Sequence, residues 1–142
     1  MSTSALQPLV ITAGVGQLLL VLGSLAIPRL LRWGDETAKL RPLTRQVFWT
    51  YAAYIWATNL GFGLLSSLAP GWLLDQSPLA LVVTAFMAAY WGGRLAIQFL
   101  YFDRTDAPAG PSFRLAEAAL VSLFLFLTTV YGTAVVVNLG GI

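Results

Sequence analysis

Neither cysteine nor histidine occurs anywhere in the 142 residues. Their absence excludes thiolate nucleophiles, disulfides, histidine-ligated haem and the common zinc and copper sites. Charge is also scarce, because only 10% of the residues are Asp, Glu, Lys or Arg and the net charge is +2. No basic tail or extended basic surface is present, so the composition does not favour nucleic-acid binding. The sequence indicates no metal and no particular cofactor.

Apolar residues are what the chain has in excess. Hydrophobic residues make up 58% of it and the mean hydropathy is +0.77, values well above those of a soluble domain of this length. The apolar residues fall into four runs, each long enough to cross a hydrocarbon layer of roughly 30 Å. The sequence therefore predicts an all-α fold, a four-helix transmembrane bundle in one domain, with spans at about 9–28, 46–69, 79–102 and 113–138.

The first run contains no charge from Leu9 to Ile27. A cleavable signal peptide is the alternative interpretation, with Ser24-Leu25-Ala26 as the cleavage site. The run is long and has no basic residue before it, which favours a retained helix. At the other end of the chain, Ser112 is expected to cap the fourth span.

Basic residues define an expected orientation. Seven of the eight Lys and Arg residues lie in or beside two segments, 29–45 and 104–114. The first segment is expected to be a loop. The positive-inside rule places both segments in the cytoplasm and both termini on the periplasmic side.

Arg94 is the one basic residue inside a span. At 100° per residue it shares an arc of roughly 100° with polar and aromatic side chains. The opposite side of that helix carries small residues, which favour close helix packing. A buried arginine costs several kcal/mol unless it is paired, hydrated or able to reach the interface, so it marks either a ligand site or a structural ion pair.

Glu117 is the acid expected to pair with Arg94, with Gln98 as a second partner. Polar residues elsewhere, such as Gln17, Asn59 and Thr128, are interpreted as hydrogen-bonding contacts between helices. No catalytic residue is predicted. The candidate ligand-binding residues are Tyr90, Trp91, Arg94, Gln98, Tyr101, Arg114 and Glu117.

Four short stretches resemble a group of small uncharacterised bacterial four-span membrane proteins. They are RQVFW at 45–49, FGLLS at 62–66, WGGRLAIQFLYFD at 91–103 and VYG at 130–132. The resemblance covers nearly the whole chain. It implies a multi-pass protein of the bacterial inner membrane and implies no activity.

A second resemblance is to the membrane-associated eicosanoid and glutathione metabolism family. It rests on the length, the four spans, the basic first loop, Gly93-Arg94 followed by Tyr101, and Arg114 at the start of the last span. That family forms homotrimers with glutathione sites near the cytoplasm. The resemblance implies that Arg94, Tyr101 and Arg114 would hold glutathione and stabilise its thiolate. The acid that the family carries in its second span is missing here.

Three functional interpretations follow from these observations. The first is a non-catalytic oligomeric or accessory subunit whose Arg94 site binds a membrane lipid or another amphipathic ligand, as a homo-oligomer or within a larger membrane complex. The second is a glutathione-dependent or other transferase that acts on a lipophilic substrate at the cytoplasmic leaflet. The third is a small oligomeric transporter, although the sequence shows no inverted repeat.

Overall fold

The computed structural model describes residues 2–140, and within that range the chain is helical with no β-strand. Four long helices are joined by short helices and turns. In chain order the elements are α1 (Thr3–Ser24), α2 (Ile27–Leu30), α3 (Trp33–Ala38), α4 (Pro42–Leu68), a 3₁₀ turn (Pro70–Leu73), α5 (Pro78–Leu100) and α6 (Pro111–Asn138).

Three helical stretches are long and apolar enough to cross a membrane: Thr3–Leu30, Pro78–Leu100 and Pro111–Asn138. The helix α4 has sufficient length, at 27 residues, but a lower hydropathy. Tryptophan, tyrosine, threonine and asparagine side chains along it, including Trp49, Tyr54 and Asn59, account for the difference. These are residue types that prefer membrane interfaces or helix contacts over the hydrocarbon itself.

Helix starts are set by local chemistry. The Ser77 hydroxyl accepts a hydrogen bond from the Ala80 amide at 3.0 Å and so caps α5. Helix α6 departs from the expected start, because Pro111 occupies its first turn and Gly110, with φ of +141°, precedes it. The prediction that Ser112 caps this helix is therefore wrong: Pro111 has a fixed φ and needs no amide partner, so the helix begins at Pro111, two residues before the expected first residue 113.

The segment 29–45 is folded more than the expected loop. It includes the end of α2 and all of α3, and Arg32, between these helices, is in the left-handed region at φ of +52°. The ring of Trp33 packs edge-on against Phe48 of α4, with 5.0 Å between centroids. The Trp49 indole also donates to the buried Thr37 hydroxyl at 3.3 Å. These aromatic contacts fasten α3 to the start of α4.

The long helices pack as two close pairs, α1 with α4 and α5 with α6, and α1 also packs on α6. In the first pair the backbones approach at glycines: a Cβ atom on Gly14 would lie 2.6 Å from the Ser67 backbone nitrogen. Small residues permit such close crossings. In the second pair, Gly92 of α5 lies against the Thr128 methyl group.

Both arginine-rich segments lie at one end of the molecule. The 3₁₀ turn contacts α1, α4 and α5 at the opposite end. Asn138, in the last turn of α6, joins it there by donating to the Leu73 carbonyl at 2.9 Å and accepting from the Gln76 amide at 3.2 Å. The end that carries α2, α3 and the α5–α6 connection is called the basic end below.

Candidate functional site

Four buried side chains, one from each long helix, form a hydrogen-bonded network in the middle of the molecule. The Gln17 amide donates to the Tyr131 hydroxyl at 2.5 Å. That hydroxyl is also 2.6 Å from the Ser66 hydroxyl. The Trp91 indole donates to the Gln17 carbonyl oxygen at 3.2 Å. All four residues are 1% exposed or less, so each polar atom is satisfied inside the protein as burial requires.

Trp91, one of the predicted ligand-binding residues, belongs to this buried network. Its indole N–H is directed to Gln17, and its ring stacks on Phe124 with centroids 5.6 Å apart. The side chain is 1% exposed. Trp91 is therefore buried between the helices, where it contacts Phe124, and it is not exposed to a ligand at Arg94.

Tyr90 lies one turn before Arg94 and faces α4. Its hydroxyl donates to the Asn59 side-chain oxygen at 2.8 Å. The Phe62 ring packs edge-on against Tyr90, with centroids 5.4 Å apart. Asn59 and Tyr90 thus link α4 to α5 at a level between the central network and the basic end.

Arg94 extends from α5 toward the basic end. Its guanidinium lies over the Phe102 ring at 5.0 Å and over the Phe124 ring at 4.9 Å from the centroids. Its Nη1 donates to the Gln98 side-chain oxygen at 3.2 Å. Because Gln98 and Phe102 both follow Arg94 in the chain, the charged group lies nearer the end of α5 than its own Cα. Long cationic side chains in membrane-spanning helices reach the interface with this geometry.

The predicted ion pair between Arg94 and Glu117 does not form. Glu117 instead pairs with Arg104, in the α5–α6 connection. Gln98 lies between Arg94 and the Arg104–Glu117 pair: its oxygen accepts from Arg94, and its amide nitrogen donates to Glu117 Oε1 at 3.1 Å. The physical reason is proximity. Arg104 lies in the α5–α6 connection, close to Glu117, whereas the Arg94 guanidinium lies over the rings of Phe102 and Phe124.

The remaining two predicted residues lie apart from this group. Tyr101 is 81% exposed, and Arg114 is exposed on the first turn of α6. Neither makes a hydrogen bond or ion pair with Arg94 in the part of the chain that the structure describes. Asp103 is held in the turn between the helices, where the Thr105 amide donates to it at 2.9 Å and lowers the pKa of its carboxyl.

Sequence reasoning missed Arg104, Phe102 and Phe124 as parts of the site. Arg104 and Glu117 are thirteen residues apart across a turn, a separation with no helical periodicity. The two phenylalanines could have been suspected from general chemistry, because arginine side chains commonly stack on aromatic rings. Their position over Arg94 depends on how α5 packs on α6.

The donors of Arg94 lie near the end of α5, a helix long and apolar enough to cross a membrane. A guanidinium has five N–H donors, and the Arg94 side chain uses one, to Gln98, in a protein hydrogen bond within residues 2–140. No group of acidic side chains in those residues could hold a metal ion. A guanidinium with unused donors is able to bind an anion through hydrogen bonds and charge.

Comparison with known proteins adds no relative. No protein-family model, curated protein or solved structure matches the chain.

Proposed function

We propose that the protein is a non-catalytic subunit of a bacterial inner membrane, in which the Arg94 site binds an amphipathic anion such as a membrane lipid. It acts as a homo-oligomer or within a larger membrane complex. The observation that carries the proposal is the state of Arg94: it is partly buried in an apolar helix, and its one protein hydrogen bond within residues 2–140 goes to the neutral Gln98. Glu117, the nearby acid, is paired with Arg104.

In this proposal α4 is the fourth membrane span. Its 27 residues correspond to roughly 40 Å at 1.5 Å per residue, and it has no charged residue from Gln46 to Leu68. It also packs along α1, a candidate span. The basic end then faces the cytoplasm and both termini face the periplasm, as the distribution of arginine and lysine favours.

The non-catalytic part of the proposal is supported by the state of Tyr131 and Glu117, two groups that could transfer a proton. The Tyr131 hydroxyl is enclosed by Gln17 and Ser66. The Glu117 carboxylate is paired with Arg104 and also accepts from Gln98. General acid–base catalysis needs such a group within reach of a bound substrate, and both groups are occupied by contacts within the protein.

The test uses the purified protein in a neutral sugar-headgroup detergent. Dodecyl phosphate is added to wild type, Arg94→Gln and Arg45→Gln, and the thermal unfolding of each is measured. Dodecanol, which has the same tail and no charge, is the ligand control. Binding at a hundredfold excess over Kd stabilises a protein by about 2.7 kcal/mol.

We expect dodecyl phosphate to raise the Tm of wild type and of Arg45→Gln, because Arg45 is exposed at the basic end and lies outside the site. Arg94→Gln should show no rise. An equal rise in all three proteins, or an equal effect of dodecanol, would overturn the proposal.

A further inference from the structure

The segment 29–45 folds back along α4 at the basic end. The Trp33 ring of α3 packs edge-on against Phe48 and Trp49, with centroids 5.0 and 5.9 Å apart. These two residues follow Pro42, the first residue of α4, by six and seven positions, or roughly 10 Å at 1.5 Å per residue. Helix α3 therefore lies beside the second turn of α4.

That level is the boundary of the apolar part of α4. Arg45 is the last charged residue of the helix, and the chain from Gln46 to Leu68 is uncharged. Tryptophan at such a position is typical of the layer between lipid headgroups and hydrocarbon. When α4 crosses the membrane, as the proposed function has it, its contacts hold α3 in that layer.

The acids of this segment are neutralised within it. Asp35 pairs with Arg32 at 2.9 Å, and Glu36 pairs with Lys39 at 3.0 Å. The other basic residues of the segment are Arg29, Arg41 and Arg45. All three are exposed, and no ion pair of residues 2–140 includes any of them. The segment thus carries uncompensated positive charge at the level of the headgroups.

The uncompensated arginines lie on both sides of α3 in the chain. Arg45 shares with Phe48 and Trp49 the face of α4 on which α3 packs, because positions i, i+3 and i+4 are neighbours on a helix. Arg41 directly precedes that helix, and Arg29 lies in α2. The aromatic contacts of α3 therefore fix where these charges lie relative to the membrane boundary.

Two neighbouring leucines supply an apolar contact beside these charges. Leu30 is 75% exposed and Leu31 is 46% exposed, and they lie just before Trp33 in the chain. Acyl chains directly below the headgroups would cover such side chains, whereas an acidic protein in water would match the arginines only. Exposed apolar residues among basic ones are typical of an element that lies in the interface of an anionic membrane.

We infer that the segment 29–45 lies on the bilayer at the basic end and binds anionic phospholipid headgroups, with Leu30 and Leu31 inserted among the acyl chains. The inference rests on the membrane setting of the proposed function and adds a lipid contact separate from Arg94. The segment responds to the charge density of a leaflet, whereas the proposed Arg94 site takes a single anion.

The test uses the absence of cysteine from the chain, which makes each introduced cysteine a single labelling site. A nitroxide spin label is attached at Leu30→Cys and, as a control, at Asp106→Cys, an exposed polar position in the α5–α6 connection. The full chain is reconstituted in vesicles of phosphatidylcholine alone or of an equal mixture with phosphatidylglycerol. Electron paramagnetic resonance gives the collision rates of each label with oxygen, which concentrates in hydrocarbon, and with a neutral nickel chelate, which stays in water.

In the mixed vesicles we expect the oxygen-to-nickel ratio of collision rates to be at least about threefold higher at Leu30→Cys than at Asp106→Cys, because the first label is inserted below the headgroups. In phosphatidylcholine alone, the ratio at Leu30→Cys should fall, since the arginines lose their attraction to anionic lipid. A label at Leu31→Cys should show the same dependence on phosphatidylglycerol.

Two further variants are made in the Leu30→Cys background. The double substitution Arg29→Gln/Arg41→Gln should lower the ratio in the mixed vesicles to the value found in phosphatidylcholine, because it removes two of the three uncompensated charges. Arg94→Gln, which removes an arginine outside the segment, should leave the ratio unchanged. Equal effects of the two variants would overturn the assignment of lipid contact to the segment.

The outcomes separate this inference from the proposed function. Equal ratios at Leu30→Cys and Asp106→Cys in the mixed vesicles would place the segment in water and overturn the inference, whatever dodecyl phosphate does at Arg94. A high ratio at Leu30→Cys that is the same with and without phosphatidylglycerol would overturn the anionic headgroup as the partner. A lipid-dependent label at Leu30→Cys, with no stabilisation of wild type by dodecyl phosphate, would support the inference and overturn the Arg94 site.

Discussion

The Gln98 amide lies between Arg94 and Glu117 and makes a hydrogen bond to each. Its oxygen accepts from Arg94 at 3.2 Å and its nitrogen donates to Glu117 at 3.1 Å. A neutral group thus occupies the position in which a carboxylate would neutralise the arginine. This keeps the Arg94 charge available while Glu117 is satisfied by Arg104.

Replacing this amide by an acid should abolish anion binding. In Gln98→Glu the new carboxylate would pair with Arg94, and the affinity for dodecyl phosphate should fall by at least about tenfold, equivalent to 1.4 kcal/mol. The variant also loses the hydrogen bond to Glu117 and places two carboxylates side by side, so its unliganded Tm should be lower and binding is read as the shift from that value. The measurement is the Tm shift used above. Gln46→Glu adds the same charge at an exposed position of the basic end and should retain binding. Retention of full affinity in Gln98→Glu would contradict the assigned role of the Arg94 charge.

Removing the Tyr131 hydroxyl should loosen all four helices. Tyr131→Phe leaves Gln17 and Ser66 without a shared partner in a fully buried position, so we expect a loss of about 1–3 kcal/mol. Unfolding by sodium dodecyl sulphate, followed by circular dichroism, gives the change in stability. Tyr54→Phe, at a side chain 68% exposed, should unfold like wild type. A Tyr131→Phe protein as stable as the control would contradict the assigned contribution of this hydroxyl to stability.

A methyl group at Gly14 should separate α1 from α4. Its Cβ would lie 2.6 Å from the Ser67 nitrogen and 2.9 Å from the Gly63 carbonyl oxygen, and backbone atoms cannot move aside as a flexible side chain can. We expect Gly14→Ala to lower stability by about 1–3 kcal/mol, as overpacking does.

The matched control is Gly61→Ala on the exposed side of α4, where nothing lies within 4 Å of the added atom. That variant should be as stable as wild type or more stable by up to about 1 kcal/mol, because alanine is the better helix former. Equal effects of the two substitutions in the same unfolding assay would refute the close crossing at Gly14.

Glutathione should not bind. The resemblance to the glutathione-metabolising membrane family assigned Arg94, Tyr101 and Arg114 to one site, but Tyr101 is 81% exposed and Arg114 is exposed on α6. Equilibrium dialysis with radiolabelled glutathione at millimolar concentration should give no binding above that of Arg94→Gln. Saturable binding that is lost in Arg94→Gln would instead favour the transferase interpretation.

Hydropathy and periodicity predicted the helical class and the approximate positions of the long helices, because apolar length alone decides where a chain can cross a membrane. The segment 29–45 was harder to predict. Its helix α3 is held by Trp33 packing against Phe48, a contact between residues that no regular spacing relates. Local breakers such as Gly34 and Pro42 indicated a loop where tertiary contacts stabilise α3.

For the candidate site, the sequence predicted that Arg94 lies within an apolar helix, but it did not predict the contacts that Arg94 makes. An arginine within an apolar run can be recognised from the sequence alone, and Arg94 is such a residue. Its partners needed one: Glu117 is reached first by Arg104, and the stacking rings of Phe102 and Phe124 are positioned by the turn after α5 and by the packing of α6. Which of several nearby cations pairs with Glu117 depends on distances between side chains, and these distances cannot be read from the sequence.

The hydrogen bonds between the two helix pairs are unevenly distributed along the molecule. The central network joins the pairs in the middle, and Asn138 joins α6 to the 3₁₀ turn at the end opposite the basic end. Within residues 2–140, no hydrogen bond or ion pair joins α1 or α4 to α5 or α6 nearer the basic end than the one between Asn59 and Tyr90. We therefore expect the spacing between the two pairs to vary most at the basic end.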